Sequence, residues 1–167
     1  MEIILRGNKD TISGNFPELG KKAPDFSAVN LEDENVSLKN YEGEVVLFNV
    51  FPDIDTGVCS TQTGKFNELS SRMDNVKIVS ISTNTKEEQQ NWCTGKQIEM
   101  DMLRDPKRSF GKAYGILVEK ADKLGRSVFV INREGEVVYR EVLTNMSEEP
   151  DYDKAAAAAR QAESQLA

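Results

Sequence analysis

Hydrophobic and polar positions along the 167 residues change period in a regular order. Val45-Val46-Leu47-Phe48-Asn49-Val50-Phe51 is an almost unbroken β-branched and aromatic run, the composition of a strand buried on both faces of a parallel sheet. Pro52 ends it, because proline brings no N–H to a ladder. The period then becomes helical: Val58, Phe66, Leu69 and Met73 mark an expected inward face, and Asp55 or Thr56 supplies the cap. Val76–Ser82 is a second strand of the buried type, so the order β-α-β predicts a parallel pair with a right-handed crossover.

The flanks read in the same way. Residues 2–13 predict a short hairpin around Gly7-Asn8-Lys9-Asp10, and residues 26–38 two weaker strands around the acidic turn Glu32-Asp33-Glu34-Asn35. Residues 14–25, with Pro17, Gly20 and Pro24, read as irregular. Thr85-Lys86-Glu87-Glu88 is a capping box, and Gly95 stops the helix it opens after fewer than three turns, with Cys93 in the last one. A short strand over 98–103, a helix over 106–114 opened by Asp105 and Pro106, and a hairpin of Ser127–Ile131 with 136–142 follow. From Asp151 an acidic cap and five consecutive alanines, residues 155–159, predict a closing helix.

Composition narrows what such a chain does. Its length suits one domain over residues 1–167, and no linker interrupts it. A net charge of −7 without any lysine or arginine block argues against nucleic acid or an anionic membrane as partner. The first six residues have neither a basic segment nor a long apolar run, so they read as neither signal peptide nor membrane segment, and a cytoplasmic protein is expected. The chain has no histidine, which removes Ser-His-Asp and Cys-His catalysis and the common His-containing zinc and haem sites. No cofactor or metal is expected.

Cys59 is the chemical focus. It falls in the first turn of a helix that follows a buried strand, where unpaired N–H groups and the positive end of the dipole favour a thiolate. A small buried core residue is the alternative that position alone leaves open. Cys93 is 34 positions away, which is no Cys-x-x-Cys dithiol, and an unreactive thiol at a helix end is its plain reading.

Pro52, Thr56 and Cys59 reproduce a Pro-x-x-x-Thr-x-x-Cys signature, and the string from Phe51 to Cys59 resembles the thiol peroxidase branch of the peroxiredoxins. The resemblance extends to Gly20, Ala23-Pro24 and Phe26, to Lys65-Phe66-Asn67, to Arg126-Ser127-Val128-Phe129-Val130 and to Glu149-Pro150-Asp151-Tyr152, and so covers most of the chain. One departure is Gly64, where that branch usually carries arginine. The implied fold is α/β and thioredoxin-like, a central mixed sheet flanked by helices with an amino-terminal β-hairpin, which agrees with the order of elements above.

The resemblance also implies roles. Cys59 would be the peroxidatic cysteine, Thr56 its hydroxyl partner, Arg126 the cation and Pro52 the wall shielding the sulfur. Cys93 would be the resolving cysteine, closing an intramolecular Cys59–Cys93 disulfide that thioredoxin reduces. Hydrogen peroxide or an alkyl hydroperoxide would be substrate, and the protein a homodimer. Read without the resemblance, Thr56 is equally a helix cap, Arg126 a surface charge and Pro52 an ordinary strand stop. A thiol-disulfide oxidoreductase and a non-enzymatic thioredoxin-fold binding module are the other classes, and neither consumes reductant in proportion to peroxide.

Overall fold

The computed structural model describes residues 1–54, 57–98 and 100–164. It opens with an antiparallel hairpin of β1 (Glu2–Leu5) and β2 (Asn8–Thr11). The turn falls on Arg6 and Gly7, earlier than expected, with both residues at positive φ (52° and 79°). Two left-handed residues make a tight turn whose twist suits paired strands, and this keeps Asn8 in the ladder opposite Leu5. β3 (Ser27–Asn30) and β4 (Asn35–Ser37) pair across the acidic turn.

β5 (Val45–Val50), α1 (Gly57–Arg72) and β6 (Val76–Ser82) form the expected unit, with β5 and β6 parallel. α2 (Lys86–Cys93) has its capping box: the Glu88 N–H donates to Thr85 Oγ1, and the Thr85 N–H donates to the Glu88 carboxylate. Gly95 at φ 75° then turns the chain away. β7 (Asp101–Arg104) starts later than the apolar run predicts, because Ile98 packs into the core from the preceding loop. α3 (Ser109–Ala113) also starts later than Pro106, yet Asp105 still caps it, accepting the N–H groups of Phe110 (3.0 Å) and Gly111 (2.9 Å). The two-residue strands β8 (Leu117–Val118) and β9 (Lys123–Leu124) lead to the hairpin of β10 (Ser127–Ile131) and β11 (Val137–Val142). α4 (Tyr152–Ser164) closes the order, with the Asp151 carboxylate accepting the Lys154 N–H at 3.0 Å.

The central sheet runs β11-β10-β5-β6-β7-β3-β4, parallel from β5 to β7 and antiparallel on both flanks. It is the thioredoxin-like α/β arrangement. Its third strand, β5, is buried throughout: Val46, Phe48 and Val50 pack with Phe26, Phe110 and Tyr114, while Val45, Leu47 and the following Phe51 pack with Phe66, Ile78, Ala155 and Ala159 under α1 and α4. The hairpin β1–β2 lies outside this sheet. Its Ile3 and Ile12 form a third small cluster with Val118 and Met146.

One expected face is corrected. α1 buries Cys59, Gln62, Thr63 and Phe66, whereas Val58 and Leu69 are only half-buried, and Met73 packs just beyond the helix end. Near its first turn the helix therefore meets the sheet with polar groups, and those groups define the site.

Candidate functional site

The topology brings Cys59 and Arg126 together. β10 runs antiparallel to β5 with Ser127 opposite Val50, so Arg126, just before β10, lies at the end of β5 where α1 begins. Cys59 is fully buried and Arg126 only 2% exposed. The guanidinium donates from Nη2 to Cys59 Sγ at 3.1 Å, from Nη1 to Gln62 Oε1 at 2.6 Å and from Nε to the Met146 carbonyl at 2.8 Å. Three partners on two segments, α1 and the Met146 main chain, fix its orientation, so the cation meets the sulfur in one geometry. The surface-charge reading of Arg126 is set aside by its burial.

Gln62 continues this network into the core. Its amide donates to Asn49 Oδ1 and the Val50 carbonyl, while Asn49 Nδ2 donates to Ser80 Oγ (2.9 Å) and Thr63 Oγ1 (3.2 Å). Ser80 in turn donates to Met100 Sδ at 3.1 Å. A buried polar group costs free energy unless it is paired, and each member here satisfies its neighbour.

Pro52 is buried at the end of β5. The loop after it is held by Asn84, whose Oδ1 accepts the Ile54 N–H at 2.9 Å and whose Nδ2 donates to Asp53 at 3.0 Å and Glu88 at 3.3 Å. Asp53 also meets Arg6 (3.2 Å) and Lys123 (3.6 Å). Asp55 and Thr56, the expected cap and hydroxyl partner, lie outside the described residues.

Cys93, the last residue of α2, is a half-buried thiol in different surroundings. It lines a cleft of about 420 Å³ with Leu31, Ile98, Met100 and Lys96. Burial pushes its thiol above the ordinary range, against the smaller pull of Lys96. Its neighbour Trp92 donates from Nε1 to Ser60 Oγ at 2.8 Å, and the Lys96 ammonium sits 4.9 Å from the centre of the indole. The residue before Cys93 is thus bonded to the residue after Cys59.

Two motifs distant in sequence also meet. Lys65 pairs with Glu149 at 3.4 Å, Phe66 packs on the Tyr152 ring with centroids 5.2 Å apart, and Asn67 donates to the Gln97 carbonyl at 2.7 Å. Tyr152 donates to Glu149 at 2.7 Å, and this bond, more than Lys65, holds the Glu149 carboxyl below its usual range. At Gly64 a side chain would enter open space. Among the described residues no group of three or more Cys, Asp or Glu side chains is gathered to hold a metal, and no helix is long and apolar enough to cross a membrane.

Gln62, Asn84, Ser60 and Met146 were not among the residues expected from sequence. The spacing of Cys59 and Gln62, three apart on one helix, puts them on a common face and was the available signal for Gln62. Met146 carries no local signal, because its part in the site depends on a main-chain carbonyl.

A buried thiol beside a cation, at the start of a helix on a thioredoxin-like sheet, is an arrangement for sulfur nucleophile chemistry. The AhpC/TSA family model matches residues 19–140. Thiol peroxidases from Listeria innocua and Bacillus subtilis are 41% and 36% identical, the alignments covering 96% and 95% of this chain and 99% and 96% of theirs. A peroxiredoxin-like protein from Aquifex aeolicus superposes with a TM-score of 0.88 at 27% identity, covering 96% of both chains. The chain belongs to the AhpC/TSA family and, within it, to the thiol peroxidase branch of the peroxiredoxins, enzymes that reduce peroxide with a thiol.

Proposed function

We propose that Cys59 is the peroxidatic cysteine and Cys93 the resolving one, in a single domain spanning residues 1–167. The observation that carries this reading is the buried 3.1 Å contact from Arg126 Nη2 to Cys59 Sγ. The Cys59 thiolate attacks one oxygen of the peroxide, the O–O bond breaks, and the second oxygen leaves as hydroxide or alkoxide and takes up a proton. Negative charge passes from sulfur to the departing oxygen, and the guanidinium of Arg126 is placed to stabilise it at both ends of that transfer. Backbone N–H groups at the start of α1 and the hydroxyl of Thr56 supply further donors, and Pro52 walls off the sulfur.

The product is a sulfenic acid, which the thiol of Cys93 condenses with to give the intramolecular disulfide and water before peroxide carries Cys59 to sulfinic acid. An external dithiol then reduces the disulfide by exchange, and thioredoxin is the reductant we assign. Hydrogen peroxide and organic hydroperoxides are both substrates in this reading, the enzyme acts in the cytoplasm, and it works as a homodimer whose subunits the disulfide does not join.

Peroxide-dependent consumption of reductant through thioredoxin and its reductase tests the whole cycle. Wild type is expected to turn over with both peroxide types. Cys59→Ser is expected to lose all turnover, and retained activity sinks the reading. Cys93→Ser is expected to keep a first, stoichiometric oxidation of Cys59 while losing recycling. Equal loss of that first oxidation removes Cys93 from a purely resolving role, and a peroxide-dependent covalent dimer places the resolving thiol on another chain.

A further inference from the structure

The hairpin β1–β2 stands apart from the central sheet, yet its main chain reaches the segment that aims Arg126. Ile4 donates its N–H to the Thr144 carbonyl at 2.8 Å and accepts the Met146 N–H at 2.9 Å, so it grips Thr144 and Met146 on either side of Asn145. In the hairpin register Ile4 faces Lys9, between the bonded positions set by the two-residue turn. Its own N–H and C=O are therefore turned away from β2 and free for this second connection.

Met146 passes the connection on. Its carbonyl accepts Arg126 Nε at 2.8 Å, and its sulfur accepts the Arg126 backbone N–H at 2.9 Å. Met146 is 2% exposed and packs with Ile3 and Ile12 of the hairpin and with Val118, so apolar contact and hydrogen bonding hold it from the same side. The turn of the hairpin makes a second, weaker touch through Arg6 to Asp53, next to Pro52. That pair involves an exposed arginine, and such pairs contribute little on their own.

We infer that the amino-terminal hairpin is a positioning element of the peroxidase site, acting through Ile4 and Met146 to hold the Arg126 guanidinium against Cys59. This rests on the proposed role of Arg126. A donor aimed at developing charge is effective only in the right place, and a displacement of about 1 Å far from the chemistry can cost on the order of a hundredfold in rate. Ile4 and Met146 touch no reacting atom. Their effect is on where the cation sits.

The test uses full-length protein. Ile4→Pro removes the N–H given to Thr144, and proline is tolerated where an edge strand spends no N–H on its own ladder. Met146→Leu keeps the carbonyl and roughly the volume but deletes the sulfur acceptor. Two readouts are taken: the rate constant for oxidation of Cys59 by hydrogen peroxide in a single turnover, and the pH profile of Cys59 alkylation by iodoacetamide in a Cys93→Ser background. Ile4→Pro is expected to slow oxidation by roughly ten- to a hundredfold and to move the alkylation profile to higher pH, as Arg126→Met does. Met146→Leu is expected to move both in the same direction by less.

A merely structural role would lower the melting temperature and leave the pH profile in place, and that result in Ile4→Pro overturns the inference. If Ile4→Pro does not fold, an unchanged rate and profile in Met146→Leu overturns it instead. Arg126→Met separates the two levels. If it changes neither readout, the role of Arg126 is wrong; if it changes both while the hairpin variants change neither, only the hairpin inference falls.

Discussion

The two cysteines of this chain occupy opposite kinds of place. Cys59 is fully buried beyond the end of a strand buried throughout, beside a guanidinium held by Gln62 of the same helix and by the Met146 carbonyl. Cys93 is the final residue of an eight-residue helix, half-exposed beside a cleft, with burial raising its thiol against the smaller pull of Lys96. One place is built to hold charge in fixed geometry. The other is an end that can move, since short helices open at their termini first. A nucleophile that must meet peroxide in one orientation suits the first, and a thiol that must travel to a partner suits the second.

Arg126→Met tests the rigid half. It keeps much of the stem, removes the cation, and leaves Gln62 Oε1 and the Met146 carbonyl without their donor. Oxidation of Cys59 by peroxide is expected to slow by about 10²–10³-fold, the scale of losing one preorganised oxyanion donor. Disulfide formation, once sulfenic acid is present, is expected to change far less. Equal slowing of both steps in a stopped-flow experiment erases the distinction between the two thiols.

The pH dependence addresses the other half. In the proposed cycle Cys93 attacks as thiolate, and burial pushes its thiol above the ordinary value of about 8.5. Below that raised value the thiolate fraction grows with pH, so the disulfide step is expected to accelerate by about tenfold per pH unit from pH 7 to 8.5. A plateau already reached at pH 7 places Cys93 with the activated thiols.

A smaller effect concerns the bond between Trp92 and Ser60. Trp92 precedes Cys93 and Ser60 follows Cys59, so the bonded pair lies one helical step, about 100°, round from each thiol. In the proposed cycle, opening of α2 breaks this contact as the two cysteines meet. Ser60→Ala removes the acceptor, and a typical hydrogen bond contributes about 1 kcal/mol, so disulfide formation is expected to quicken by roughly fivefold with peroxide oxidation unchanged. Trp92 is the only tryptophan, and its fluorescence is expected to change in a phase that follows sulfenate formation and to be absent in Cys93→Ser. A flat signal, with the disulfide confirmed by mass, removes the support for opening of α2.

How much of this was readable in the chain follows from the same contrast. β5 and β6 were legible because strands buried on two faces leave unbroken apolar runs, and α2 because its capping box is a local hydrogen-bond exchange. Cys59, Arg126 and Pro52 were legible through motif resemblance, and the structure brings Arg126 to the sulfur. The inner face of α1 was misread, since an apolar-spacing rule skips Gln62 and Thr63, which are buried by pairing with Asn49, Ser80 and Arg126. Met146 was invisible because a backbone carbonyl has no letter in the sequence. The late starts of β7 and α3 escaped for a related reason: a loop side chain filled the core in one case, and a cap acted from a distance in the other.

The smallest expected effect lies at Gly64, half-buried within α1 where an added Cβ meets nothing within 4 Å. Gly64→Ala is expected to stabilise the protein by roughly 0.5–1 kcal/mol in denaturant unfolding, through the conformational entropy that glycine loses on folding. If opening of α1 contributes to disulfide formation, the same variant slows that step slightly.

The polar inner face of α1 has a further consequence for the protein as a colloid. From Gly57 to Gly64 the helix offers only Val58 and Cys59 as apolar side chains, so a chain opened there presents hydroxyls, an amide and backbone groups that water satisfies at once. Proteins that open an apolar face during their working cycle risk sticking to one another in that state. If the first turns of α1 open in the cycle, they open a wettable face. Peroxide-oxidised protein is therefore expected to bind no more hydrophobic dye than the reduced form and to stay dispersed through repeated cycles of oxidation and reduction.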